Sequence, residues 1–278
     1  MANLSITAAW NEASAFVRRE AHLLFPIAFL IGSLPAAAAQ LLAPAPPPPG
    51  QAPEAGAWMF AVFASVLLGF IASLAISWLA LRPGVSVGEA LGRGLKRFVP
   101  MLLAMLIIGL GMGVLLFIAA VIAVLVVPGA MQGLNSGGAP GQEAATAIAL
   151  ALLLVAPVVI YIFPRLMLAT PVAAAEEIGP LAILRRSWQL SAGNYLKLLG
   201  FLIMFIIAYL VVSMAVGFVL GVLVVLVAGR PDPGTIAFFI ILLLNAVVQA
   251  LVSMFFGATL ARIYAQLTGG ETVAEVFR

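Results

Sequence analysis

The residues of this chain with groups able to do chemistry are few, mostly arginines, side-chain amides and carboxylates beside long apolar runs. Arg165 follows Pro164 and precedes the apolar run 166–175, with Glu176 and Glu177 across a break expected at Pro171. An arginine near the edge of a bilayer snorkels at modest cost, so Arg165 reads as a topology anchor paired with Glu176 or Glu177. A site for a substrate anion or lipid phosphate is the sharper alternative. Asn245, Gln249 and Ser253 stand at i, i+4 and i+8, which puts them in one stripe on an otherwise apolar helix. Interhelical hydrogen bonds of such groups contribute about 0.6–2 kcal/mol each, enough to fix a packing face. The stripe is therefore expected to face protein, the alternative being a solute pathway. Arg93, Lys96 and Arg97, and then Arg185, Arg186 and Trp188, sit on two amphipathic segments. Their charges are expected at headgroup height as a basic collar on anionic lipid, with the indole at the interface.

Much chemistry is excluded. The chain has no cysteine and one histidine, His22, so disulfides, thiol chemistry and any site built on a histidine pair are ruled out. There is no phosphate-binding G-x-x-x-x-G-K-[ST] loop, no H-E-x-x-H and no G-x-S-x-G. No ionisable side chain lies deep in a predicted span, where proton relays and ion-coupled pumps need one. No metal, no cofactor and no enzymatic activity are expected.

The elements that must position these residues follow from composition. Of the 278 residues 64% are apolar and 8% charged, against about 25% charged in an ordinary soluble domain. The mean hydropathy is +1.22. So much apolar surface has no soluble interior to fill and must face lipid or lipid-embedded helices. Six runs are long enough to cross a hydrocarbon core of about 30 Å: 23–43, 57–81, 99–127, 145–169, 196–228 and 235–264. The first could pass for a signal peptide, but a long amphipathic stretch precedes it and Pro26 and Pro35 interrupt it, so it is read as a retained membrane helix. The prolines at 46–49 are expected to form stiff polyproline II between the first two spans. Pro157, Pro164 and Pro171, seven apart, are expected to bend span four repeatedly.

Twelve of the thirteen Lys and Arg residues fall on one side of these spans, and Arg230 alone falls on the other. Such asymmetry places the basic side, and both termini, in the cytoplasm. The pI near 9.7 thus reflects membrane topology and anionic headgroups, not nucleic acid.

A basic amphipathic segment precedes each outgoing span: 5–21, 86–98 and 180–194. In the first, Ile6, Trp10, Ala13 and Val17 share a face; in the second, Val87, Leu91, Leu95 and Phe98 do. Ser86 and Glu89 have capping-box spacing, and Pro180 suits a first helical turn. The expected architecture is an all-α polytopic bundle forming a single domain over 1–278. It comprises three repeats of interfacial helix plus transmembrane hairpin (about 1–81, 82–169 and 176–264) and a short tail, 265–278. Gly109/Gly113 and Gly217/Gly221 are G-x-x-x-G pairs, and Ser65, Gly69, Ser73 and Ser77 repeat a small residue every fourth position. All permit close helix approach, within one chain or between chains.

The stretch 179–195, GPLAILRRSWQLSAGNY, resembles a segment of the membrane domain preceding the catalytic domain in some bacterial glycerophosphodiester phosphodiesterases. It is similar also to stand-alone YciC-like six-span membrane proteins. The shared pattern is an alanine, the basic pair Arg185–Arg186, Ser187–Trp188, then Gly193–Asn194 and the aromatic Tyr195, with Pro171 and Glu176 upstream. In the fused enzymes the resemblance places the chemistry in a separate soluble barrel with paired histidines and acidic metal ligands. This chain has nothing to supply that barrel, so the phosphodiesterase activity does not transfer.

The resulting expectation is a non-catalytic protein of the bacterial cytoplasmic membrane, acting as scaffold, partner subunit or lipid organiser. Its expected partners are membrane lipids, anionic ones in particular, and other membrane proteins. The alternative is a transporter or lipid translocase, its route lined by the proline-broken fourth span and Asn245/Gln249.

Overall fold

A computed structural model describes residues 4–44, 55–135 and 141–276. The prolines 46–49 and Arg278 lie outside them. The described elements are helical: α1 (Ile6–Pro26), a π-helical stretch (Ile27–Ser33), α2 (Leu34–Leu42), α3 (Ala57–Leu81), α4 (Val87–Val126) and α5 (Ala130–Asn135). They continue with α6 (Gln142–Leu166), α7 (Ala169–Ala175), α8 (Pro180–Ser191), α9 (Tyr195–Ala228) and α10 (Ile236–Val276). Six helical stretches are long and apolar enough to span a bilayer, one in each expected place, and the chain is a polytopic membrane protein.

The prolines explain where helices bend or break. A proline at i clashes with the carbonyl of i−4 and leaves that carbonyl without its amide. Pro35 falls just after the π-helical stretch, whose wider turns carry the strain and let the helix run on to Leu42. Ser33 Oγ bonds Ala28 O five residues back, 3.1 Å, in keeping with the wider turn. Pro171 ends α6 at Leu166, and the chain restarts as α7 with the proline in its first turn, where it is tolerated. Pro157 and Pro164 leave α6 unbroken, so the break in span four is single.

The expected separate interfacial helices need correction. The basic segment 86–98 runs into its span without interruption as the 40-residue α4, and the first segment joins its span across a kink at Glu20. Only the third, α8, is a helix of its own. Their buried faces also differ from expectation. In α1 the buried residues include Ala9, Ala13, Phe16 and Val17, while Trp10 is exposed; in the first half of α4 they are Ala90, Gly94, Arg97, Met101 and Ala104, while Leu95 is exposed. The reason is the partner. Small side chains let each segment press on protein, so α1 lies on α10 and the start of α4 on α3, α7 and α8. Gly94 shows how closely: a Cβ there would lie 2.9 Å from Ile71 O.

Packing is densest at the basic end. Leu74, Met101, Leu168, Ala173, Ile183, Leu198 and Ile263 form one core there, and Leu24, Ala75, Ile76, Ala258 and Ala261 a second beside it. Toward the opposite end the helices pack as pairs, α2 with α3, α4 with α6 and α9 with α10. Alanines 119, 123, 147 and 151 zip α4 to α6. The α9–α10 pair is more loosely joined, and most of α9 is exposed.

Candidate functional site

The break between α6 and α8 gathers most of the candidate residues. α7 ends at Ala175, and the last carbonyls of a helix carry partial negative charge and have no amide partner within it. Two arginines from α4 supply the donors. Arg97 Nε donates to Ala173 O at 2.8 Å and its Nη2 to Ile178 O at 2.7 Å. Arg93 Nε donates to Ala174 O at 3.0 Å, its Nη2 to Ala175 O at 3.3 Å, and its Nη1 pairs with Glu177. The hydrogen bond from Arg93 holds the Glu177 carboxyl below the usual carboxylate range. The Arg93 guanidinium lies 4.8 Å from the centre of Trp78, which Arg82 approaches to 4.9 Å.

Glu176 faces the other way, accepting from Arg186 Nε at 3.1 Å and from the Tyr264 hydroxyl at 2.8 Å, which ties α8 and α10 to the break. The ion pair expected between Arg165 and Glu176 or Glu177 therefore does not form, because both carboxylates have other cations. Arg165 lies instead in an aromatic cage, its guanidinium 4.7 Å from the centre of Tyr161, 4.6 Å from Trp188 and 5.4 Å from Tyr195. Its Nε has no hydrogen-bond partner.

The segment 179–195 thus acquires a physical reading. The Tyr195 hydroxyl donates to Ile160 O at 3.0 Å, the carbonyl that Pro164 deprives of its amide. Ser187 Oγ donates to Arg165 O at 2.7 Å, one of the carbonyls left over at the end of α6. Gly193 takes a φ of +84°, which turns the chain from α8 into α9. Arg186, Ser187, Trp188 and Tyr195 are together a clamp on irregular backbone, which in a membrane must find its partners within the protein. Sequence reasoning missed Tyr161, Tyr264 and Trp78. An aromatic residue in a span carries no mark of the cation it will meet.

Of the five charges expected in a collar, only Lys96 and Arg185 project freely outward; Arg93 and Arg97 turn inward, and Arg186 is shared with Glu176. Below α8, Ile107, Gly111, Met112, Leu115, Leu166 and Trp188 line a groove of about 440 Å³ with Arg185 at its rim. A larger groove of about 510 Å³ runs between α1, α9 and α10, lined by Trp10, Phe201, Phe205, Tyr209 and Phe255 among others.

The amide stripe lies apart from this site. Asn245 and Gln249 are exposed, and Ser253 is half-buried. Asn245 Nδ2 bonds Ile241 O of its own helix at 3.0 Å, Ser253 Oγ bonds Ala250 O at 2.8 Å, and Gln249 makes no hydrogen bond among the described residues. The interhelical bonds expected of the stripe are not made within the chain. Both amides border a cavity of about 140 Å³ between α9 and α10, with Tyr209, Ser213, Gly217 and Gly221 on the facing wall.

No curated protein and no solved structure shows a significant match to this chain. Residues 4–267, nearly its whole length, match the family described as a domain of unknown function, DUF7847. By that match the chain, with its six apolar spans, belongs to the DUF7847 family.

Proposed function

We propose that this protein is a non-catalytic organiser of a bacterial cytoplasmic membrane, oriented with its basic end in the cytoplasm and acting through lateral contacts with lipids and membrane proteins. The observation that carries this reading is how its side chains are used. Arg93, Arg97, Arg165 and Arg186 are engaged by backbone carbonyls, carboxylates or aromatic rings of their own chain. The long flanks of α4, α6 and α9, by contrast, face outward along most of their length. A group locked into its own fold is poorly placed to cycle through a reaction, whereas an apolar flank with grooves is placed to bind.

The groove beneath Trp188 suits one acyl chain, with Arg185 at headgroup height for an anionic lipid phosphate, and Lys96 adds a second free charge at the same end. Each such charge near an anionic leaflet contributes about 1 kcal/mol. The likeness of 179–195 to the membrane domains of glycerophosphodiester phosphodiesterases and to YciC-like proteins fits a membrane module whose role does not include the chemistry. The translocase alternative draws on the cavity at Asn245 and Gln249, but the groove that leads to it from the basic end is lined almost wholly by apolar side chains.

The test is purification in native-lipid nanodiscs followed by mass spectrometry of the retained lipids. Anionic phospholipid should be enriched over the bulk membrane, and the double variant Lys96→Gln/Arg185→Gln or high salt should remove the enrichment. Wild-type discs with bulk lipid composition, or lipid flipping by the protein in liposomes, would overturn this reading.

A further inference from the structure

Glycines of the chain divide into two classes. A Cβ on Gly94 would lie 2.9 Å from Ile71 O and one on Gly257 3.0 Å from Ile76 Cγ2. Those glycines are needed for contacts within the chain. Gly217 and Gly221, a G-x-x-x-G pair on α9, have nothing within 4 Å of that position. Whatever their smallness admits is not part of this chain.

Independent of the glycines, polar groups crowd the same place. Gly217 is eleven residues from the end of α9 and Asn245 nine residues into α10, so both lie roughly 15 Å into the span, near the bilayer midplane. Gln249 lies one turn further, exposed and without a hydrogen bond, and Asn245 satisfies one amide hydrogen on its own helix. Ser213 Oγ on the facing wall is shielded from the surface and has no partner. Acyl chains offer neither donor nor acceptor at that depth, and lipid esters lie at the interface.

We infer that the α9–α10 groove is the docking face for a second copy of this chain. The occupant is argued from the chemistry of the amide. A carboxamide carries both donors and an acceptor, so two copies related by a twofold axis satisfy each other's Asn245 and Gln249 without a complementary partner sequence. The open glycine pair allows the close backbone approach that brings those short amides within reach. An acyl chain seated here would leave Gln249 unpaired and Asn245 with only the bond to its own helix. This interface rests on the chain being a membrane protein, not on its organising lipids.

The chain has no native cysteine, which permits a direct test. Single variants Gly217→Cys, Asn245→Cys, Met214→Cys and Phe218→Cys are oxidised in native membranes, the last two being strongly exposed positions on α9 outside the groove. Disulfide-linked dimer should form at 217 and 245 and stay near background at 214 and 218. Adding Gly217→Leu/Gly221→Leu to Asn245→Cys should lower its crosslinked fraction about tenfold. In case cysteine variants insert poorly, wild-type protein is counted by single-molecule photobleaching in dilute bilayers, where two-step bleaching is expected. Single-step bleaching, equal crosslinking at all four positions, or crosslinking only to a different protein would overturn the second copy as occupant. Lipid composition of the same preparation, bulk-like or enriched, reports separately on the organiser reading.

Discussion

Replacing Arg97 with alanine removes two hydrogen bonds from a cationic donor, to Ala173 O and Ile178 O, at a residue 9% exposed. Hydrogen bonds to charged groups contribute about 1.5–3 kcal/mol each, so the pair is worth roughly 3–6 kcal/mol at most. Water entering the vacated space recovers part of this, and we expect a loss of about 3 kcal/mol, or an apparent melting shift of about 6–12 °C for a chain this size. The assay is the fraction of monodisperse protein left after stepped heating in mild detergent, read by fluorescence size-exclusion. Lys96→Ala is the control, since it removes the same charge from the neighbouring, exposed position. Its effect should stay within about 0.5 kcal/mol. Arg97→Lys keeps the charge but not the planar fork that reaches carbonyls on both sides of the break, and should recover little. Equal losses for Lys96→Ala and Arg97→Ala, or full stability in Arg97→Lys, would show that charge alone matters and that the clamp does not.

Gly94→Ala forces a methyl against the Ile71 carbonyl and should destabilise by about 1–3 kcal/mol, whereas Gly217→Ala, measured on detergent-solubilised monomer, should leave the melting temperature unchanged or slightly raised. Glu177 has its carboxyl held low by Arg93, so its stabilising contribution is present above the unfolded carboxyl value of about 4.3 and is lost as pH falls toward the folded value. The melting difference between wild type and Glu177→Gln, clear at neutral pH, should therefore shrink progressively under acid; a difference independent of pH would mean the ion pair is not its source. For topology, Asp232→Cys should react with an impermeant thiol reagent on intact cells, and Gln189→Cys only after the membrane is opened. The reverse pattern would invert the orientation.

What could be read in the sequence was what depends on local or additive physics. The spans follow from hydropathy summed over about 20 residues. The capping box at the start of α4 needs only residues three apart; Glu89 N donates to Ser86 Oγ at 3.2 Å and Ser86 N to Glu89 Oε2 at 2.9 Å. Arg97 was illegible in kind. Its charged neighbours Arg93 and Lys96 mark it as an exposed charge, but its partners are carbonyls 76 and 81 residues away, left over where α7 ends at Ala175. Arg165 was misassigned because opposite charges nearby in sequence are the obvious partners, and nothing in three scattered aromatics announces a cage. The glycine pairs carried a signal without an address: sequence shows where backbones could touch, and the packed chain shows that neither 109/113 nor 217/221 is used for a close contact within it.

The unbroken passage of α4 from the basic end into the apolar core has a mechanical consequence. Forty residues of helix make a rod about 60 Å long, roughly twice the hydrocarbon thickness. Pro100 stands at the water boundary, yet the helix continues through it, so a bilayer of different thickness can be met by a change of inclination, and about 10° of tilt sweeps one end through about 10 Å. That end carries Arg93 and Arg97, which grip the break beyond α7, and through Glu176 the same break is fastened to α8 and α10. A change in the inclination of α4 would therefore bear on the 173–178 segment, α8 and α10 together, not on α4 alone.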